Sequence, residues 1–170
     1  MSDEALAEYK KARDSQLTRN DALRIRTKVK EARDNSHLAA RRWPFELIQN
    51  AHDPGPRAGR DKVNVTLLWD EISATFSHDG APFSVQELAA LLSGGSSKDF
   101  ESEETTGRFG TGFLVTHVLA TKARVSGFLN TSHGPEQFAL KLDREGDENH
   151  ICENIDQCND AIGSAKPLTS

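Results

Sequence analysis

Cysteine is scarce in this sequence, and its two copies form no metal-binding or disulfide pattern. Cys152 and Cys158 are six positions apart, with no C-x-x-C pair and no histidines at matching spacing. A zinc site or a disulfide framework is therefore disfavoured, and reduced thiols in a cytosolic protein are the simpler interpretation. Aromatic residues make up only 6% of the chain, and they do not alternate with the basic residues.

Long apolar runs are also absent, because no segment approaches the roughly 18 consecutive apolar residues of a membrane span. The first residues, Met1-Ser2-Asp3-Glu4, are acidic and lack the basic and then apolar pattern of a signal peptide. The sequence therefore predicts a cytoplasmic protein without a membrane partner. With 170 residues, of which 36% are hydrophobic, the chain is long enough for one domain with its own core.

Charge is unevenly distributed along a chain whose net charge is −5. Residues 10–42 contain 11 Lys or Arg against four Asp or Glu, whereas residues 143–160 contain seven acids against Arg144 alone. A basic segment of this kind binds nucleic acid, forms the solvated face of a helix, or pairs with an acidic segment of the same chain. The sequence leaves these three interpretations open.

Hydrophobic spacing predicts helices at the start of the chain. Residues 3–34 carry an imperfect apolar stripe, and residues 15–21 are expected to break it into two helices. A further helix is predicted over residues 36–52. The sequence Asp53-Pro54-Gly55-Pro56 ends that helix, because proline cannot donate a hydrogen bond and glycine frees the backbone.

Strands and helices alternate along the rest of the chain. Residues 63–69 and 72–76 alternate apolar and polar side chains, so they predict an antiparallel hairpin that turns at Asp70-Glu71. The other predicted elements are a helix at 85–92 capped by Ser84, a loop at 93–106, a helix at 111–120, strands at 124–129 and 138–142, and a helix at 147–162. This order predicts an α+β fold, a two-layer sandwich in which helices cover one face of an antiparallel or mixed sheet.

The first group of polar residues lies on the helix over residues 36–52. Glu46 and Asn50 are four positions apart and therefore share one helical face, and Asp53 follows three positions later. A carboxylate and a carboxamide on one rigid face suit a hydrated magnesium ion, which prefers oxygen ligands. The same spacing also fits an amphipathic helix with a polar outer face.

The second group, Asp79-Gly80, ends the predicted hairpin. A carboxylate buried against a tight turn at this point can accept a hydrogen bond from an amino group, such as the exocyclic nitrogen of adenine. The alternative is an ordinary Asp-Gly turn.

The third group is the glycine-rich segment from Gly107 to Phe113, directly before the helix at 114–120. Glycines let the backbone approach a ligand closely, and the N–H groups that open a helix attract phosphate. The spacing G-x-x-G-x-G is not the dinucleotide pattern G-x-G-x-x-G, and no G-x-x-x-x-G-K-[ST] occurs, so Rossmann and P-loop sites are disfavoured. Lys98, in the loop before this segment, is either a contact for a terminal phosphate or a solvated lysine.

Taken in this order, the groups over roughly residues 38–130 resemble the GHKL superfamily of gyrase, heat-shock chaperone, histidine kinase and MutL ATP-binding domains, which have the Bergerat fold. The strings H-D-G-A-P-F, G-G-S-S-K and G-R-F-G-T-G-F are similar to the sacsin-like and heat-shock-chaperone-like branch. The second motif departs from the usual D-x-G-x-G, because Ala81-Pro82 follow Gly80. The sensor Thr or Lys of many relatives has no counterpart that can be placed in residues 125–142.

The resemblance implies ATP and Mg²⁺ as cofactors and a slow ATPase activity. It makes Glu46 the general base, Asn50 the magnesium ligand and Asp53 a residue lining the nucleotide site near the ribose and phosphates. The implied contacts to ATP are Asp79 and Gly80 at the adenine, Lys98 in a lid, Gly107, Gly110 and Gly112 around the phosphates, and the N–H groups of Phe109, Thr111 and Phe113.

The implied organisation is an N-terminal helical arm at 1–35, an ATP-binding core at 36–145 and a polar helix and tail at 146–170. The resemblance further implies a homodimer through the arm and a lid that switches on nucleotide binding. The ending at Ser170 amid polar sequence leads us to expect a piece of a longer protein with further domains or partners. Three alternatives remain open: an ATP sensor without hydrolysis, a histidine kinase domain, and a nucleic-acid-binding module using the basic arm. The acid at Glu46 disfavours the kinase, which usually carries Asn or His there.

Overall fold

Helices and strands are mixed along the chain, as the predicted α+β class requires. The computed structural model describes residues 3–53, 59, 62–95, 111–164 and 166–167. Within these ranges the strands form two antiparallel sheets, one of two strands and one of three.

The first helix, α1 (Asp3–Asp34), is continuous over 32 residues, so the predicted break at residues 15–21 is wrong. Thr18 donates its hydroxyl hydrogen to the carbonyl of Asp14 at 3.1 Å. Nε2 of Gln16 donates to Oδ1 of Asn20, one turn further along, at 3.1 Å. Polar side chains in this segment therefore find partners on the helix surface without opening the backbone. No proline or glycine interrupts the segment either.

The second helix, α2 (Ser36–His52), follows after Asn35 alone and confirms the predicted bounds. The main-chain N–H of Asp53 donates to the carbonyl of Gln49 at 2.8 Å and closes the last turn. The buried residues of α2 are Ala39, near its start, and Asn50 and Ala51, at its carboxyl end. That end of α2 therefore faces the rest of the molecule.

The predicted hairpin is present as β1 (Val65–Trp69) and β2 (Ala74–His78), which pair antiparallel. Its turn is longer than predicted, because the carboxylate of Asp70 accepts hydrogen bonds from the main-chain N–H groups of Ile72 and Ser73, at 2.9 and 2.8 Å. Ile72, predicted in the second strand, consequently lies in the turn and is 94% exposed.

The third helix, α3 (Val85–Ser93), begins with the predicted cap. The Ser84 hydroxyl oxygen accepts from the N–H of Glu87 at 3.2 Å, and the Glu87 carboxylate accepts from the N–H of Ser84 at 2.8 Å. Gly94 ends the helix with a φ of 64°, a left-handed conformation that favours glycine.

The predicted helix at 111–120 is shorter and tighter than expected. Its first turn is α4 (Thr111–Leu114), and the chain continues as a 3₁₀ helix (Val115–Val118). Both short helices pack against α2.

The last part of the chain forms the second sheet and its covering helix. β3 (Lys122–Thr131) and β4 (Gly134–Asp143) are longer than the predicted strands, and β5 (Lys166–Pro167) pairs with β4. Helix α5 (Glu148–Gly163) confirms the predicted polar helix, and the carboxylate of its capping residue Asp147 accepts from the N–H of His150 at 3.0 Å.

One parallel bridge links the segment after the hairpin to the second sheet. The N–H of Phe83 donates to the carbonyl of Phe128 at 2.8 Å, and the N–H of Asn130 donates to the carbonyl of Phe83 at 2.7 Å. Phe83 therefore lies alongside β3, close to where the chain leaves β2.

Two clusters of buried side chains form the core. The first lies between α3, the second sheet and α5, and comprises Leu88, Leu91, Leu92, Leu129, Phe138, Leu140, Leu142 and Cys158. The second lies between α1, α4 and α5, and comprises Ala22, Ile25, Val29, Leu114, Ile151 and Ile155. The second half of α1 is thus packed into the body of the molecule together with α5.

Candidate functional site

The first predicted group lies in the carboxyl-terminal half of α2. The side chain of Glu46 is 17% exposed, and its Oε1 accepts a hydrogen bond from Nη2 of Arg42 at 2.8 Å. Asn50, one turn further along the helix, is 9% exposed. Asp53 follows the last helical residue and is partly exposed. Because α2 is continuous, Glu46 and Asn50 lie on one face, as their spacing predicted.

The pairing of Glu46 with Arg42 restrains the carboxylate more than it stabilises the fold. The Arg42 side chain is largely exposed, and an exposed pair at this spacing contributes only about 0.3–0.5 kcal/mol. Its consequence is directional, because one carboxylate oxygen is turned toward the amino-terminal side of the helix. Within the described ranges, the bond from Arg42 is the one hydrogen bond that the Glu46 carboxylate accepts.

The second predicted group lies at the open end of the hairpin. Asp79 directly follows β2 and is exposed, so the expected burial of this carboxylate is wrong. The reason is that most positions of both strands are exposed, and the hairpin offers no interior in which to bury a charge. The carboxylate is nevertheless held, since Oδ1 accepts from the main-chain N–H of Asn64 at 2.8 Å and Oδ2 accepts from Nδ2 of Asn64 at 2.7 Å.

Gly80 brings the hairpin end against α2. A Cβ atom placed on Gly80 would lie 2.8 Å from the main-chain oxygen of Ala51 and 2.8 Å from Nδ1 of His78. Real Cβ atoms do not approach other atoms so closely, so only glycine lets these two backbones meet without a shift. Ala51 is the neighbour of Asn50, so the turn at Asp79-Gly80 and the buried end of α2 are in direct contact.

The imidazole of His78 supports this contact. The main-chain N–H of Gly80 donates to Nδ1 of His78 at 3.1 Å. Partial burial lowers the pKa of His78, while the charge of Asp79 acts in the opposite direction. The lowered pKa favours the neutral ring, whose Nδ1 can accept the bond from Gly80.

The third predicted group is only partly described. Lys98, Gly107, Phe109 and Gly110 lie outside the described residues, so the structure neither joins them to the other groups nor separates them. The backbone of Thr111 and Gly112 opens α4, which packs against α2.

Phe113 is half-buried against the first core cluster and meets the ring of His117 edge to face, with 5.7 Å between ring centroids. Helix α2 is thus the common neighbour of the Asp79-Gly80 turn and of the segment that ends the glycine-rich sequence. The first predicted group lies on α2, and the described parts of the second and third groups contact α2.

Two polar residues near these elements were not singled out from the sequence. His117 is buried, its Nδ1 donates to the carbonyl of Ala120 at 3.0 Å, and burial, reinforced by the charge of Arg144, lowers its pKa to about 4. Arg144 is also buried, its Nη2 donates to the carbonyl of Leu92 at 3.3 Å, and burial lowers its pKa to about 10. Within the described ranges, Nε2 of His117 and both Nε and Nη1 of Arg144 have no hydrogen-bond partner.

Asn64 is the other residue that sequence reasoning missed. The register of the hairpin pairs Val65 with His78, so the next positions outward are Asn64 and Asp79. The predicted turn at Asp70-Glu71 sets a register that pairs Asn64 with Ser77, so the sequence could not identify Asn64 as the partner of Asp79 before the longer turn was known.

In the part of the chain that the structure describes, no three or more His, Cys, Asp or Glu side chains form a group able to hold a metal ion. Nor does any described helix combine the length and apolar character needed to cross a membrane.

No protein-family model matches the sequence, and no curated protein and no solved structure matches it.

Proposed function

We propose that this chain is an ATP-binding domain of the GHKL type that hydrolyses ATP with the help of magnesium. The observation that carries the proposal is the close approach of Gly80 to α2. A Cβ atom placed on Gly80 would lie 2.8 Å from the main-chain oxygen of Ala51. This approach joins the buried end of α2, with Asn50, to the turn that presents Asp79. These groups are about 30 positions apart in the sequence, and this family's site requires them to be neighbours.

The proposal extends to the fold. A two-layer sandwich requires that the hairpin and the second sheet belong to one mixed sheet with helices on one face. The parallel bridge between Phe83 and Leu129 favours such a sheet, because it aligns the chain after β2 with β3. The buried side chains of β4, Phe138, Leu140 and Leu142, all point toward the face that α3 and α5 cover.

The residues of this region have the chemistry that the two cofactors need. Asn50 offers a carboxamide oxygen at a buried position, which suits a magnesium ion that keeps waters in its other positions. Asp79 offers a carboxylate, held in one direction, that accepts from the adenine amino group. Bound magnesium supplies positive charge that offsets the charge of the phosphates.

Glu46 has the role of orienting and deprotonating the attacking water. Hydrolysis of a phosphoanhydride depends on positioning and on charge neutralisation more than on covalent chemistry. Glu46 lies one helical turn before Asn50, on the same face of α2, and its side chain is only 17% exposed. This position supports the proposal that the carboxylate holds a water next to phosphates that Asn50 helps to bind. Asp53, at the end of the same helix, lines the ribose and phosphate side.

Replacing the base tests the assignment of Glu46. We expect Glu46→Ala to keep its affinity for ATP within about tenfold, about 1.4 kcal/mol, because the carboxylate contacts water and not the nucleotide. Phosphate release should fall to background. Glu153→Ala, which removes an exposed carboxylate from α5, is the control and should release phosphate at the wild-type rate. Equal phosphate release by Glu46→Ala and the wild type would exclude Glu46 as the base.

A further inference from the structure

We infer that the second half of α1 binds the phosphate backbone of a nucleic-acid duplex. The contact is made by four exposed cations, which we call the basic stripe: Arg19, Arg26, Lys30 and Arg33. This function is separate from the proposed binding of ATP, because the basic stripe shares no residue with the groups assigned to ATP and magnesium.

The spacing of the basic stripe places its members on one flank of α1. They follow one another at intervals of seven, four and three residues, which on an α-helix fall within about 60° of the circumference. From the first to the last they span about 21 Å along the helix axis. The stripe lies beside the buried face of α1, which Ala22, Ile25 and Val29 form.

Packing holds this part of α1 in place before any ligand arrives. Ala22, Ile25 and Val29 are buried in the cluster that they share with Ile151 and Ile155 of α5. A backbone fixed in this way presents its cations at a constant spacing, so binding does not have to order a flexible segment.

Ion pairs neutralise the other flank of α1 but not the basic stripe. Arg24 pairs with Asp21 at 3.5 Å, and Lys28 pairs with Glu31 at 2.8 Å. Those two acids are the only ones between residues 19 and 33. In the part of the chain that the structure describes, no salt bridge reaches a member of the basic stripe.

Pairing with the acidic segment of the same chain therefore does not account for the basic stripe. Helix α5 packs against α1, yet among the described residues its carboxylates form no salt bridge with α1. Arg19 is the member that lies near α5. Burial raises the pKa of the Cys152 thiol, and the charges of Glu148 and Arg19 act on that pKa in opposite directions. Arg26 and Lys30 consequently test the stripe more cleanly than Arg19 does.

A solvated helix face is the other alternative. Arg26 and Lys30 are four positions apart and Lys30 and Arg33 are three apart, and like charges at these spacings destabilise a helix. A face that meets only water gains nothing from that repulsion, whereas a polyanion replaces it by attraction. The arrangement therefore favours an anionic partner.

A nucleic-acid duplex suits the basic stripe better than other polyanions. Its phosphates form a regular and dense row of charge over the length of the stripe. Three of the four members are arginines, whose planar guanidinium donates to two phosphate oxygens at once. Residues 19–33 include no aromatic side chain on which the bases of a single strand would stack. The partner is thus the backbone of a duplex, bound without regard to base sequence.

The test is fluorescence anisotropy of the full chain with a labelled duplex of about 20 base pairs, with DNA and RNA in separate titrations. Four phosphate contacts predict that the logarithm of Kd rises with the logarithm of the KCl concentration at a slope of about 3.6. Affinity should therefore fall roughly a hundredfold between about 50 and 200 mM KCl.

Two double variants with the same net charge separate the two flanks of α1. Arg26→Gln combined with Lys30→Gln should lower the slope by about 1.8 and weaken binding at least about tenfold at about 50 mM KCl. Arg24→Gln combined with Lys28→Gln removes two cations from the paired flank and should keep the wild-type slope. Glutamine is a good helix former, so both variants should keep the circular dichroism of the wild type.

Three results would overturn the inference. The first is the absence of saturable binding to either duplex at about 50 mM KCl. The second is an equal loss of affinity in both double variants, which would mean that overall charge and not the basic stripe attracts the duplex. The third is binding to polyglutamate as tight as binding to the duplex, which would assign the stripe to an acidic protein segment. ATP titration of the same variants should match the wild type, so these outcomes leave the proposed function standing.

Discussion

Single residues show most clearly where burial and hydrogen bonding decide the chemistry. The exposed Asp79 accepts two hydrogen bonds from Asn64, while burial lowers the pKa of His117 to about 4. The sequence around Asp79 predicts its place at a turn, but it does not predict that the carboxylate is exposed. The burial of His117 cannot be predicted from the sequence either, because it follows from packing between elements that are distant in the sequence.

Burial of His117 makes stability depend on pH. Its pKa in the folded state is about 4, against an ordinary 6.5, so the unfolded chain binds the proton more readily. The free energy of unfolding is then fully retained above pH 6.5 and falls as the pH drops from 6.5 toward 4, by about 3 kcal/mol in total from this group. Urea denaturation across this pH range measures the effect.

Two variants that each replace one histidine by asparagine isolate the contribution of His117 to the pH dependence of stability. His117→Asn should lose the part of the acid destabilisation that belongs to this ring, whereas His133→Asn, at an exposed turn, should keep the wild-type pH dependence. Identical slopes of stability against pH in wild type and His117→Asn would contradict the assignment.

Gly80 permits a second residue-level prediction. Gly80→Ala places a methyl group 2.8 Å from the main-chain oxygen of Ala51, and backbone cannot move aside as a flexible side chain can. We expect a loss of about 1–3 kcal/mol in the free energy of unfolding and a weaker affinity for ATP. Gly163→Ala is the control, since nothing lies within 4 Å of its added Cβ. Equal urea midpoints for the two variants would contradict the close approach of the hairpin and α2.

At the scale of elements, sequence reasoning was most accurate where a local signal was strong. The capping pair Ser84 and Glu87 marks the start of α3, and alternation of apolar residues marks the hairpin. It was wrong at residues 15–21, where polar residues were interpreted as a break although their side chains bond within α1. Propensity alone could not reveal this, because packing of the second half of α1 against α5 also stabilises the helix.

The contact between α1 and α5 is itself open to test. Ile151 of α5 is fully buried in the cluster that contains Ile25 of α1. Ile151→Ala should lower the free energy of unfolding by about 2–5 kcal/mol, through lost burial and the cavity left behind. Leu23→Ala, at an exposed position of α1, should change it by less than about 0.5 kcal/mol. Similar denaturation curves for both variants would mean that α1 and α5 do not depend on each other.

At the scale of the whole molecule, the order of elements predicted an α+β fold, and the structure agrees at that level. The arrangement of strands in two sheets could not be predicted, because pairing between distant strands leaves no trace in local periodicity. For the candidate site, spacing correctly placed Glu46 and Asn50 on one face of α2. The meeting of Ala51 with Gly80 depends on tertiary packing, and only the structure could reveal it.

Calorimetric titration of the wild type and of Asn50→Ala with ATP, with and without magnesium, tests whether the end of α2 binds a magnesium nucleotide. We expect the wild type to bind ATP, magnesium to strengthen binding by about tenfold, about 1.4 kcal/mol, and Asn50→Ala to lose this dependence on the metal. Absence of ATP binding by the wild type, or an undiminished effect of magnesium in Asn50→Ala, would contradict this assignment.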